Sequence, residues 1–322
     1  MVLDGLPGTA RLVEVGLRDG LQAVGGILDT EAKLEILEQV LAAGFTTVEI
    51  TSFAHPKVLP QFGDAEQVIA QAPRRDGITY KALVPNLRGA QRACATGIDE
   101  IVAVIPVDPN TAVKNQNTTP ERLLTDFSAI VEEAQATDKK VTAAVATAFF
   151  APCRGPIPVG ELDTVVARVV EAGTDSLYLA GTSGMESPRE FADGVRRVKA
   201  QHPDVPVGVH LHNRNGLSGI NALASLAAGA DWLEGSFGGL GGDMWFPGDP
   251  SVLGNAPMED LIVLLDQLGI ATGIDLTLYL KAVDTVAEAT GIPSYSFVTR
   301  GGTRDELAHA RWPEEAPGRT HG

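Results

Sequence analysis

Eight short apolar runs, rich in β-branched residues, recur along the chain: Arg11–Val15, Thr46–Ile50, Thr79–Val84, Glu100–Ile105, Val141–Thr147, Ser176–Leu179, Pro206–Leu211 and Trp232–Ser236. Stretches of helical periodicity alternate with them, among them Thr30–Ala43, Arg88–Thr96, Pro120–Ala136, Val159–Ala172, Pro188–Gln201, Gly216–Ala228 and Met258–Leu268. Strands that alternate with helices form a parallel sheet, because the helix carries the chain back to start the next strand on the same side. Eight such units predict closure into a (β/α)8 barrel, the TIM-barrel class of α/β fold. A doubly wound open sheet is the competing architecture, but its Gly-rich first turn is absent here. Ala-Gly pairs at 43–44, 172–173 and 228–229 mark helix stops, since glycine takes the left-handed conformation past the last turn. The expected organisation is one barrel domain over residues 1–292, including a further helix at Thr277–Thr290, and a tail over 293–322 that is mobile or forms a lid.

Charge narrows the partners. The formal net charge is -16, and the last thirty residues are neutral, with four Arg against four acids. So acidic a surface repels nucleic-acid phosphates and anionic lipid, so neither is an expected partner. An anionic small-molecule substrate must then be met by local cations. With two cysteines and no apolar leader, the expectation is a reducing cytoplasm and no membrane span.

In a barrel of this class, chemistry gathers at the C-terminal ends of the strands. The seventh run ends Val209-His210-Leu211-His212. Residues two apart on a strand share a face, so both imidazoles can point at one metal ion or form a structural pair. The first run leads into Arg18-Asp19, where Asp19 can offer a hard oxygen ligand and Arg18 a fixed cation for an oxyanion. A structural Arg–Asp pair is the alternative. Glu49, within the second apolar run, is a base or a buried partner for Arg18. Glycines at 238–242 let backbone approach a ligand or simply form a flexible loop.

Several motifs in order carry a resemblance: VEVGLRDGLQ at 13–22, VEITSFAHPKVLPQFGD at 48–64, LVPNLRGAQRA at 83–93, KNQNTT at 114–119, HLHNRNG at 210–216, GGLGG at 238–242 and GNAPMEDL at 254–261. Together they span about residues 11–290 and resemble the hydroxymethylglutaryl-CoA lyases, members of the DRE-TIM metallolyases (pyruvate carboxyltransferase-type domain). The resemblance implies one divalent cation, Mg2+ or Mn2+ (Zn2+ and Co2+ being alternatives), held by positions matching Asp19, His210, His212 and Asn255. It implies that Arg18 stabilises an enolate, that Glu49 helps to hold the site, and that Gln22, Ser52, Asn115 and Asn117 line the substrate pocket. It also implies a homo-oligomer acting on an acyl-CoA or hydroxy-acid substrate.

The chain departs from that family in three places. Asp243 stands where the lyases carry a cysteine active in proton transfer. The segment from there to Asn255 is longer by about three residues and carries Met244, Trp245, Phe246 and Pro247. Gly181 stands where the lyases carry a carboxylate. One carboxylate lost at 181 and one gained at 243 suggest a relocation, with Asp243 as a catalytic proton-exchanging group. The expected activity is metal-dependent carbon–carbon cleavage of a 3-hydroxyacyl compound, hydroxymethylglutaryl-CoA or a relative. A condensing synthase of the same fold and a non-catalytic acyl-binding relative are the alternatives. Cys153, in FAPCRG at 150–155, is read as a thiol without a role, and His55, His202, His309 and His321 as surface residues.

Overall fold

The computed structural model describes residues 5–242 and 254–312. Its eight barrel strands are β1 (Leu12–Glu14), β2 (Thr47–Ser52), β3 (Thr79–Val84), β4 (Glu100–Pro106), β5 (Lys140–Ala146), β6 (Ser176–Gly181), β7 (Val207–Leu211) and β8 (Trp232–Gly235). Its helices are α1 (Thr30–Ala42), α2 (Ala65–Gln71), α3 (Leu87–Cys94), α4 (Pro109–Gln116), α5 (Pro120–Ala136), α6 (Val159–Glu171), α7 (Pro188–Gln201), α8 (Ser218–Ala227), α9 (Met258–Gln267), α10 (Leu276–Thr290), α11 (Phe297–Gly301) and α12 (Arg304–His309). Each strand pairs in parallel with its sequence neighbour, and β1 closes the ring on β8 through Leu12↔Leu233 and Glu14↔Gly235. The fold is the (β/α)8 barrel expected from the alternation.

Local chemistry accounts for the boundaries. Asp29 caps α1 by accepting from the Ala32 N–H at 2.8 Å, and Ser187 with Glu190 forms a reciprocal capping box on α7. The three Ala-Gly stops adopt left-handed backbone, with φ of 106° at Gly44, 93° at Gly173 and 95° at Gly229. Four helices, α2, α4, α11 and α12, have no counterpart among the expected ones. They are five to eight residues long, about two turns or less, over which a 3.6-residue period is hard to see. β1 is shorter than expected, ending at Glu14, and Gly16–Gly20 forms one π-helical turn.

Two cores result. Val13, Val15, Val102, Ala144, Tyr178, Ala180 and Trp232 fill the barrel interior, and a larger cluster lies between strands and helices. Below the interior layer, Lys81 Nζ meets Glu100 Oε1 at 2.8 Å, with both side chains buried. Beyond α10 the tail begins as ordered structure. Asp260 of α9 accepts from Ser296 Oγ at 2.6 Å and from the N–H groups of Phe297 and Val298, each at 3.0 Å, fastening the start of α11. No helix among the described residues is long and apolar enough to cross a membrane.

Candidate metal centre and active site

The π-helical turn after β1 sets the first part of the site. A strand would send Arg18 and Asp19 to opposite faces, whereas this turn brings both, each 4% exposed, to the same barrel mouth. Arg18 Nη1 donates a short hydrogen bond to Asp19 Oδ1, and Arg18 Nε lies 2.9 Å from Glu49 Oε2 of β2. Burial would pull the guanidinium down, but Glu49 and Asp19 outweigh it and keep Arg18 charged. Burial likewise pushes Asp19 up, and Arg18, His210, His212 and the Asn255 amide together hold it at about 2. Glu49 goes the other way: burial, with Glu234 and Asp19 nearby, raises it to about 7 against the pull of Arg18.

β7 and the segment after β8 bring the remaining donors. His210 Nε2 and His212 Nε2 face each other at 3.1 Å, and Asp19 Oδ2 lies 3.9 Å from the first and 3.8 Å from the second. The ligand atoms of Asp19, His210 and His212 lie within 4.8 Å of one another, a group able to hold a metal ion. Asn255 Nδ2 donates to Asp19 Oδ2 at 2.7 Å and to the Leu240 carbonyl at 2.8 Å, leaving its buried Oδ1 without a partner among the described residues. Two imidazole nitrogens pointing together, a carboxylate held ionised and an orphaned amide oxygen are the donor set a divalent cation satisfies. Gly241 permits this approach, since a Cβ there would lie 2.3 Å from Asn255 Nδ2.

A second layer escaped the sequence reading. Glu234 Oε2 lies 3.0 Å from His210 Nδ1, and Glu234 Oε1 accepts from Trp232 Nε1 at 3.0 Å. A carboxylate on the far ring nitrogen fixes the tautomer that leaves Nε2 free for a ligand. Burial opposes ionisation of Glu234, but the hydrogen bond and charge of His210 win and hold its pKa low. The signal was present: Glu234 is a lone carboxylate in an apolar run, as Glu49 is.

The expected pocket residues fare unevenly. Gln22 stands at the mouth, half-buried, and donates to the Gly242 carbonyl at 2.8 Å. Ser52 is fully buried, and its Oγ accepts from the Ala54 N–H at 3.1 Å. Asn117 is exposed and left-handed, φ 51°, ending α4. The side chain of Asn115, and Asp243 through Pro247, lie outside the described residues. His55 and His309 are exposed, His202 is half-buried, and Cys153 is exposed in a tight turn. Next to Gly181, a Cβ would lie 3.0 Å from Glu186 Oε2 and 2.7 Å from Phe191 Cζ. The space beside 181 thus holds a buried carboxylate, whose Oε1 accepts from the Ser183 N–H at 3.1 Å and its hydroxyl at 2.7 Å. A cavity of about 660 Å³ at the other end of the barrel is lined by Arg11, Lys81, Glu100 and Trp232. Its buried Lys81 and Glu100 pair with each other, which marks it as structural.

The HMGL-like family model matches residues 9–286. The chain belongs to that family. Among HMGL-like relatives, human mitochondrial hydroxymethylglutaryl-CoA lyase is 33% identical over 284 residues, covering 88% of this chain and 86% of its own. The (R)-citramalyl-CoA lyase of Chloroflexus aurantiacus is 31% identical, covering 90% of this chain and 94% of its own. An HMGL-like structure, the HMG-CoA lyase of Acinetobacter baumannii in complex with coenzyme A and 3-methylmalate, superposes with a TM-score of 0.89 at 31% identity, covering 95% of this chain and 98% of that one.

Proposed function

We propose that the protein is a divalent-metal-dependent carbon–carbon lyase that cleaves a 3-hydroxyacyl-CoA between C2 and C3. The observation that carries this reading is the convergence of Asp19, His210 and His212 beside the buried, charged Arg18. The relatives named for such cleavage support it. Asp19, His210, His212 and Asn255 are the residues that would hold the ion, with Mg2+ or Mn2+ fitting two nitrogen and two oxygen donors. A cation there would supply the positive charge that eases loss of a proton from the substrate hydroxyl.

The other residues follow from charge flow. As the C2–C3 bond breaks, its electron pair moves onto the thioester oxygen, and Arg18 is the fixed cation for that oxyanion. Glu49 holds the guanidinium in place. The resulting enolate takes a proton at C2, a step assigned to Asp243 from its place after the Gly-rich segment. Gln22 lines the entrance, and Ser52, Asn115 and Asn117 are the further pocket positions of this reading. The same reading takes a cytoplasmic homo-oligomer with a barrel domain over 1–292.

The test is mass-spectrometric. Purified protein with Mn2+ is incubated with hydroxymethylglutaryl-CoA and with citramalyl-CoA, alongside His210→Ala and Asp243→Asn. Acetyl-CoA release that His210→Ala abolishes together with Mn2+ binding is expected. Asp243→Asn should keep Mn2+ and lose at least about a hundredfold in rate. Absence of cleavage of either thioester by the metal-loaded wild type would sink the reading.

A further inference from the structure

Tyr178 is a polar residue at the centre of the barrel that the account so far leaves without a task. It lies on β6, paired with Ala144 on one side and Gly208 on the other, and it belongs to the interior core. Its ring stacks on that of His210, with centroids 5.6 Å apart and planes at 27°. Only 3% of the residue is exposed. That stacking sets the phenol ring against one of the imidazoles of the metal-donor group. No hydrogen bond holds that hydroxyl among the described residues, and it is not one of the buried polar atoms left unpaired, so its oxygen keeps accessible surface.

The walls beside the ring are small and apolar. Ala180 follows on the same strand, Ala144 lies alongside, and Ala146 and Val104 are half-buried further toward the strand ends. A large ring thus lies among small side chains. Resting on the lyase reading above, we propose that Tyr178 contacts the substrate: its hydroxyl donates a hydrogen bond to an oxygen of the hydroxyacyl group, and its ring limits the C3 substituent to a short one. Hydroxymethylglutaryl-CoA carries one more methylene at C3 than citramalyl-CoA, so the shorter thioester is the better substrate of the two.

Tyr178→Phe removes the oxygen and keeps the ring; Tyr178→Ala removes both. Because the hydroxyl has no partner within the described protein, Tyr178→Phe should leave Tm within about 2 °C and Mn2+ affinity unchanged. Its kcat/KM on the better thioester should fall about tenfold, the worth of one hydrogen bond. Tyr178→Ala should shift the citramalyl-to-hydroxymethylglutaryl preference about tenfold toward the longer compound. A Tyr178→Phe loss below about threefold overturns the proposal, even if the alanine variant fails to fold. If the wild type cleaves neither thioester, the lyase reading fails and Tyr178 is judged by calorimetry with oxalate on the Mn2+-loaded proteins. Weaker oxalate binding by Tyr178→Phe then supports the contact; equal affinity, or no binding by either protein, overturns it.

Discussion

Arg18 shows how much a single side chain can owe to its neighbours. It is buried in a low-dielectric site, which by itself disfavours its charge, and two carboxylates restore it. Its fork gives one nitrogen to Asp19 and another to Glu49, an arrangement that a lysine point charge does not reproduce. Arg18→Lys should therefore lower kcat by about a hundredfold or more, as loss of an oxyanion donor does, while Mn2+ binding persists. Steady-state kinetics beside a Mn2+ titration would check this; wild-type kcat would remove Arg18 from charge stabilisation. His210 and His212 were legible as a pair from strand alternation, and Glu234 as a lone carboxylate in an apolar run, but the contact between Glu234 and His210 was not, because nothing in a one-dimensional pattern sets the height at which β8 and β7 meet.

At the scale of elements, the segment after β8 has to pass close to the donors without filling their space. Gly241 is the tightest point. A Cβ at 241 would lie 2.3 Å from Asn255 Nδ2 and 3.0 Å from its backbone nitrogen, so it would displace the side chain that steadies Asp19. Gly241→Ala should weaken Mn2+ affinity about tenfold. It should also lower Tm by several degrees, since overpacking of this kind costs about 1–3 kcal/mol. Calorimetric titration and a thermal melt read both, and unchanged affinity would show that Asn255 does not depend on this approach. The π-helical turn at Gly16–Gly20 belongs here too. The apolar run stops at Val15, and a strand continued past it would have parted Arg18 from Asp19.

Across the whole molecule, β1, α9, α10 and the Gly-rich segment are tied by two buried carboxyls. Glu14 accepts from the N–H groups of Gly16, 2.6 Å, and Phe237, 3.2 Å, and binds the Tyr279 hydroxyl. Glu259 accepts from the Gly238 N–H at 3.1 Å and from Ser294 Oγ at 3.0 Å. Burial raises Glu14 from 4.5 to about 8 and Glu259 from 4.5 to about 7, each partly offset by its hydrogen bonds. Below pH 4.5 each group is protonated in folded and unfolded chains alike. Between 4.5 and about 8 the unfolded chain has given up a Glu14 proton that the folded one keeps, so stability falls as pH rises. Glu14→Gln removes that term. Its Tm relative to wild type should climb between pH 5 and pH 8.5 by about 3 °C or more. A difference that stays flat with pH would show that Glu14 is ionised in the folded protein.

The order of elements, the helix stops, the paired histidines and the Arg18-Asp19 dipeptide were all written locally, in alternation, glycine placement and spacing along one strand. Such features depend only on residues a few positions apart, so the amino-acid sequence determined them by itself. Glu234 behind His210, Tyr178 under it, Glu186 beside Gly181 and Asn255 against Gly241 depend on closure of the ring. Closure sets which strands are neighbours and at what height their side chains meet, and that register is decided only when all eight strands pair at once.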